Sequence, residues 1–283
     1  MSQTADEPKI AAADSSRKKP EPSGIEVQRE LNHKRTVILC TLHKSGTHWT
    51  RYLFANYMQL LAGVSDVPIS YKRMQRRVGN NRVYINRGRK SWSKPARFVR
   101  QAGLRDFVWQ HFEDDLDTAR GPIILQYRNP LDALISRFHY DCDRWKAAGR
   151  NVNHPRECLF AVEEFAAKYA RMRAVSKKRT NAIMVSYERL KQAPEAVFET
   201  MVSFAGLPIM TKLIERAVLF SSAENVRQEE IERGRAIVSP TTTGYFVRDG
   251  SIGQWRSVLN AEDLSDIESI LSRHGVSLEE FQV

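Results

Sequence analysis

The chain has 283 residues, which is long for one domain yet within range of a single α/β sheet carrying inserted loops. No run approaches the roughly 18 apolar residues of a membrane span. Cys40, Cys142 and Cys158 are odd in number and lack metal-ligand spacing, which argues against a disulfide scaffold or a zinc site and for a soluble, reduced, cytoplasmic protein.

The net charge of +11 points to an anionic partner, and it is unevenly placed. Residues 1–30 are polar, with no apolar period and no apolar core of the kind a secretory signal requires. They read as a flexible tail before one domain spanning 31–283.

Thr36 to Leu42 is a short apolar run rich in β-branched residues, as expected of a buried parallel strand. The chain then turns through His43, Lys44, Ser45 and Gly46. Leu53, Phe54, Tyr57, Met58 and Leu61 follow at helical spacing, so a helix starts near Thr47. A strand feeding a helix through such a turn is an anion cradle. Backbone N–H groups and the helix dipole converge on one spot, and Lys44 adds a charge. The loop lacks the Gly-x-x-x-x-Gly-Lys-Ser/Thr signature of nucleoside triphosphatases.

Between Tyr71 and Arg105 stand twelve Lys or Arg and no Asp or Glu. Nucleic-acid binding is one reading of such a stretch, but no recognition helix, zinc finger or aromatic platform accompanies it, so none is expected. A basic surface that attracts an anionic ligand is the other.

Asp106 to Gln110 reads as a strand with His111 at its carboxyl end, where open parallel sheets place their ligand crevice. His111 is the first candidate for a base and His139 the reserve. Pro122 to Tyr127 is a further buried strand running into Arg128-Asn129-Pro130, where Asn129 can cap a helix and Pro130 fits its first turn. Arg128 at the strand end and Ser136 on that helix can reach a common anion. Asn181 to Ser186 reads as a strand ending at Tyr187-Glu188. Residues 188–220 suggest two or three helices, one opened by Pro194 and closed by Gly206. Residues 229–250 have no sustained apolar period and read as a mobile lid.

The loop Lys44-Ser45-Gly46-Thr47-His48-Trp49 resembles the Pro-Lys-Ser-Gly-Thr-Thr-Trp loop of the cytosolic-type sulfotransferases, with His43 for the Pro and His48 for the second Thr. Arg128-Asn129-Pro130 with Asp132 and Ser136 resembles that family's second signature. Arg248-Asp249-Gly250 through Gly253 and Trp255 resembles its third, Arg-Lys-Gly-x-x-Gly-Asp-Trp, with Asp249 for the Lys.

The resemblance, from about Thr36 to Asn260, implies a P-loop-like α/β fold with a mostly parallel sheet of four or five strands flanked by helices. It implies transfer of a sulfuryl group from 3′-phosphoadenylyl sulfate (PAPS) to a hydroxyl or amine, without a metal. It implies that Lys44 to Trp49 hold the 5′-phosphosulfate and that Arg128, Ser136, Arg248, Asp249 (through its backbone) and Gly250 hold the 3′-phosphate. Tyr187 and Ser221 would contact the adenosine. Ala223 replaces the family's aromatic there, and Trp49 is the candidate to supply the lost packing. His111 would be the catalytic base beside Lys44.

The basic stretch suggests an anionic saccharide or lipid headgroup as acceptor, with peripheral contact to an anionic surface. The family's dimer signature does not occur near Val258, so oligomeric state is left open. A nucleotide or small-molecule kinase and a basic scaffold that binds nucleic acid or membrane remain the alternatives.

Overall fold

The computed structural model describes residues 36–77, 97–112, 116, 119, 121–147, 149, 152–233 and 250–282. In chain order the elements are β1 (Thr36–Thr41), α1 (Thr47–Leu61), α2 (Tyr71–Arg77), α3 (Arg97–Gln101), β2 (Asp106–His111), β3 (Ile123–Tyr127) and α4 (Pro130–Ala147). Then come α5 (Phe160–Lys178), β4 (Ala182–Ser186), α6 (Tyr187–Gln192), α7 (Pro194–Phe204), α8 (Thr211–Phe220), α9 (Ala223–Arg233) and α10 (Ala261–Arg273). The tail 1–30, residues 78–96 of the basic stretch, and Arg248 and Asp249 lie outside the described residues.

Four strands form one parallel sheet in the order β2-β1-β3-β4, the lower of the two expected strand counts. All six residues of β1 are buried, because helices cover both faces of the sheet. Alternation along the strands divides the core in two. Val37, Leu39, Phe107 and Trp109 pack with Leu53, Phe54, Tyr57, Phe198 and Met201 on one face. Ile38, Cys40, Val108, Ile123 and Leu125 pack with Leu131, Leu134, Phe165 and Leu271 on the other.

Since every strand is parallel, all four carboxyl ends meet at one edge. Register pairs Thr41 with both His111 and Gln126, and Tyr127 with Ser186. His111 is the last residue of β2 and not a residue beyond it, because its backbone still pairs with Thr41.

Two further expectations are settled by caps and long-range contacts. Asn129 Oδ1 accepts from the Leu131 N–H at 2.9 Å and opens α4 as its side chain suggested. The start of the stretch read as a lid is helical, since α9 continues to Arg233. The Glu229 carboxylate accepts twice from the Tyr71 N–H, at 3.0 and 2.9 Å, and once from the Tyr52 hydroxyl at 3.4 Å. An acidic stretch without an apolar stripe is thus held by tertiary hydrogen bonds to α1 and α2. Residues 234–249 lie outside the described residues.

Candidate active site

Four strand ends and the helices that follow them assemble the site. After β1 the chain enters the loop with Lys44 in a left-handed conformation (φ 63°), uncommon for a residue with a Cβ, and Gly46 at φ 87°. Gly46 is needed for a second reason. A Cβ there would stand 2.6 Å from Cδ2 of Tyr187. Gly46 is the N-cap residue of α1 and brings no side-chain cap, so the first-turn N–H groups of a 15-residue helix face the loop with its dipole behind them.

The loop is held from behind. The Ser45 hydroxyl donates to the Leu42 carbonyl at 2.7 Å, and Gln126 Nε2 donates to the Ser45 carbonyl at 2.6 Å. Thr47 Oγ1 lies 2.8 Å from Thr41 Oγ1. Ser45 is fully buried, so its hydroxyl is part of the loop's scaffold and its backbone forms the cradle. The Lys44 ammonium lies 4.1 Å from the ring centroid of Tyr140, a cation–π contact from α4.

Beside the loop, β3 delivers Arg128 and β4 delivers Tyr187. The Arg128 guanidinium stacks 4.4 Å from the Tyr187 ring centroid and donates through Nη2 to the Ser251 carbonyl at 2.9 Å. Arg128 is 5% exposed, and its Nε has no hydrogen-bond partner among the described residues. The Tyr187 hydroxyl donates to the Gly250 carbonyl at 2.7 Å, and the Trp49 ring stands edge-on to Tyr187 at 5.8 Å. Lys44 to Trp49, Arg128, Tyr187 and Gly250 therefore form one neighbourhood. Ser136 is half-buried in the second turn of α4.

Ser221 is placed differently. It is 1% exposed, and its hydroxyl donates to the Ala217 carbonyl at 2.7 Å while accepting from Asn56 Nδ2 at 3.0 Å. That hydroxyl is committed within the fold.

Two buried carboxylates order this half of the site, and motif reading assigned neither a role. Asp132 accepts from the Gly253 N–H at 2.7 Å and the Trp255 N–H at 3.3 Å, which ties the segment after Gly250 to α4. Glu188 accepts from the Asn129 N–H and the Ser186 hydroxyl, both at 2.9 Å, and so joins the ends of β3 and β4. Burial of an acidic residue directly after a strand or within a helix start was the available signal. Burial of a polar side chain is offset when it is hydrogen-bonded in this way.

On the other side of the loop stands His111. Its Nδ1 lies 3.4 Å from the Thr41 carbonyl and 3.3 Å from Thr41 Oγ1. Nδ1 thus faces Thr41: it donates to the carbonyl in the Nδ1–H tautomer and accepts from the hydroxyl in the other. The Trp109 ring stands edge-on to His111 at 5.3 Å, and the His43 ring lies against it at 3.9 Å.

His48 turns toward this side too, stacked on Tyr71 at 5.8 Å and tilted to Trp109 at 6.4 Å. Burial, then the positive charges of Arg51 and Lys44 and the nearby His111, hold its pKa well below the usual imidazole value. Arg51 is fully buried, stacked 4.5 Å from the Trp109 ring and donating to Gln75 Oε1 at 2.8 Å. Burial drops its pKa to about 9. Gln75 Nε2 also donates to the Tyr71 hydroxyl. A charged residue among the apolar positions of α1 was the only sequence sign of this cluster.

The reserve base, His139, is exposed on α4, its ring 5.2 Å from that of Phe138. Among the described residues no three His, Cys, Asp or Glu side chains stand close enough to hold a metal ion, and no helix is long and apolar enough to cross a membrane.

Known proteins share both the sequence pattern and the fold. The guinea pig (Cavia porcellus) 3-beta-hydroxysteroid sulfotransferase is 23% identical over 267 residues, covering 86% of this chain and 87% of its own. Human sulfotransferase 2B1 is 22% identical over 156 residues, covering 52% of this chain and 42% of its own. Mouse sulfotransferase SULT7A1, solved in complex with PAP, superposes with a TM-score of 0.61 at 14% identity, covering 92% of this chain and 94% of that one. A retinol dehydratase in complex with retinol and PAP superposes with a TM-score of 0.53 at 14% identity, covering 87% and 82%. The sulfotransferase domain family matches residues 34–275, the span that contains the loop after β1, Arg128, Tyr187 and His111; the chain belongs to that family and is a sulfotransferase.

Proposed function

We propose that the protein transfers a sulfuryl group from PAPS to a hydroxyl or amine, with His111 as base. One observation carries this reading: an uncapped helix start beside Lys44, a buried Arg and an imidazole stand at neighbouring strand ends of one sheet edge. The donor supplies the sulfuryl group when bound.

The residues present fit it. The uncapped first turn of α1 and Lys44 suit a phosphosulfate, and the Arg128 Nε, unpartnered among the described residues, with Ser136 and Gly250, suits a second phosphate; Arg248 joins them by motif alone. Tyr187 and Trp49 offer aromatic surface to a base. The N–H groups of Ser45 to Thr47 and the Lys44 ammonium stabilise charge developing at the cradle, as such donors do in phosphoryl transfer. His111 Nε2 accepts the acceptor's proton, and an imidazole's ordinary pKa near 6.5 suits that near neutrality.

For the acceptor, the exposed Lys72, Arg73, Arg97, Arg100 and Arg105 favour an anionic molecule such as an acidic saccharide or a lipid headgroup. The Trp109 ring against His111, with Tyr71 against His48 and Tyr140 under Lys44, favours a second reading, a neutral ring-bearing alcohol. The names of two similar proteins, for a 3-beta-hydroxysteroid and for retinol, point the same way.

Titration with 3′-phosphoadenosine 5′-phosphate tests the donor: tight binding without metal, preferred strongly over ADP, is expected. Equal affinity for ADP, or a requirement for Mg²⁺, would turn the reading toward a kinase. Radiolabelled PAPS with a panel of anionic and neutral acceptors then decides the acceptor. His111→Ala should lower turnover by about 10²–10⁴ while leaving PAP affinity nearly unchanged.

A further inference from the structure

His43 stands where the related loops carry Pro, and a proline cannot make the contacts seen here. Its ring centroid lies 3.9 Å from that of His111, with 34° between the planes. On its other side, His43 Nε2 is 3.8 Å from Glu164 Oε1, a carboxylate on α5. Glu164 also accepts from the Lys168 ammonium at 2.7 Å. Burial opposes ionisation of Glu164, but Lys168, with His43 and Arg137 beyond it, holds the carboxyl below its usual pKa.

The imidazole of His43 is thus placed between a carboxylate on α5 and the ring on β2. That ring also faces Thr41 through Nδ1, at 3.3 and 3.4 Å, and stands against the Trp109 ring.

We infer that His43 is a positioning residue for His111: it packs the base's ring into the orientation in which Nδ1 faces Thr41 and Nε2 faces the acceptor. This rests on the reading of His111 as the base. The energy at stake is modest, because a single tilted ring pair is involved. The kinetic consequence is larger, since a misplacement of about 1 Å in a catalytic group can cost about 10²-fold.

The same contact gives this loop a dependence on α5 that a proline would lack. His43 and Lys44 share one cavity with Leu42, Ala133, Glu164 and Phe165, so the packing between α4 and α5 reaches the base through one side chain.

Three substitutions separate ring packing from volume and from backbone. His43→Phe keeps a flat ring, His43→Leu keeps comparable bulk without one, and His43→Pro installs the residue of the related loops. The primary readout is the NMR signal of ¹⁵N-labelled histidine in the full-length protein at about pH 8, where imidazoles are neutral. His111→Ala identifies the resonance by its loss. Wild type and His43→Phe should show His111 as one Nδ1–H tautomer, whereas His43→Leu and His43→Pro should show mixed tautomers or exchange broadening.

PAP affinity, expected to stay within about threefold of wild type, confirms in each case that the loop is intact. Turnover of labelled PAPS should follow the tautomer: near wild type in His43→Phe, and about tenfold lower in His43→Leu and His43→Pro, with the loss in kcat and not in acceptor KM. An unchanged tautomer and turnover in both Leu and Pro variants would overturn the inference and leave His111 as the base. Full turnover by His111→Ala would instead remove the base reading, whatever the His43 variants show.

Discussion

The two sides of the loop after β1 are built by different means. The proposed donor side, from Lys44 to Arg128, Tyr187 and Gly250, is made of backbone groups and short motifs locked by buried hydrogen bonds that Gln126 donates and Asp132 and Glu188 accept. The proposed acceptor side is made of side chains drawn from separate elements: His43 from the loop, His48 and Arg51 from α1, Tyr71 and Gln75 from α2, Trp109 and His111 from β2, Tyr140 from α4. A ligand common to many related proteins can be held by backbone geometry, which tolerates sequence change. A ligand peculiar to one protein has to be read by side chains, and those vary.

Lys44→Ala should break the donor side most severely. The chemical step is expected to slow by about 10²–10³, the usual loss for one charge-stabilising donor. Thermal stability should hold, since Lys44 lies half-buried in a turn. Rates within a few-fold of wild type would take Lys44 out of the reaction.

Asp132→Ala tests whether the donor side depends on its buried carboxylates. Two N–H groups, of Gly253 and Trp255, would lose their acceptor, at about 1–3 kcal/mol for each group left unsatisfied. PAP affinity and melting temperature should fall together, with Asp132→Asn intermediate. If PAP binding is unaffected, the segment after Gly250 is ordered by something else.

A Gly46→Ala exchange probes the close approach of the loop to Tyr187. The left-handed φ alone costs about 1–2 kcal/mol for a residue with a Cβ, and the added atom would meet the Tyr187 ring. PAP should bind more weakly, and the melting temperature should drop by several degrees. A variant that binds PAP as wild type does would show that the cradle relaxes.

On the acceptor side the expected effects are smaller. The folded-state pKa of His48 is held below the unfolded value, so the folded protein resists a proton that the unfolded chain accepts. Stability contributed by neutral His48 is present above about pH 6.5 and is lost as pH falls below it. The slope reaches at most about 1.4 kcal/mol per pH unit. Denaturant unfolding at falling pH should show wild type losing stability faster than His48→Gln. Parallel curves would mean that His48 titrates normally.

The smallest effect concerns the basic surface. Charge reversal of Lys72, Arg73 and Arg100 should weaken an anionic acceptor a few-fold, with the loss fading at high salt, because exposed charges are screened beyond about 10 Å at 0.1 M. Equal loss for neutral and anionic acceptors would assign those charges to donor attraction alone.

Legibility followed the same division. The cradle, the Arg128 strand end and the capped start of α4 could be read because each is a local strand–turn–helix, and its residues are contiguous. His111 could be placed at the crevice because a parallel sheet gathers its carboxyl ends. The continuation of α9 through Glu229 could not be read, since what holds it is a hydrogen bond to Tyr71, 158 residues away. The bonds of the Ser221 hydroxyl to Asn56 and to the Ala217 carbonyl could not be read either, since Asn56 is 165 residues away.

What the sequence by itself determined was the alternation that buries β1 on both faces, the turn residues that allow a left-handed Gly46, and the order of the three family motifs. These depend on the conformational preferences of neighbouring residues and on apolar period, both of which act over a few positions. The tertiary structure alone decided which polar side chains are spent inside the fold and which stand at the site. It set Arg51 on Trp109, Asp132 under Gly253 and His43 between Glu164 and His111. Such pairings depend on burial and on distances between elements far apart in the chain, and neither quantity is carried by local spacing.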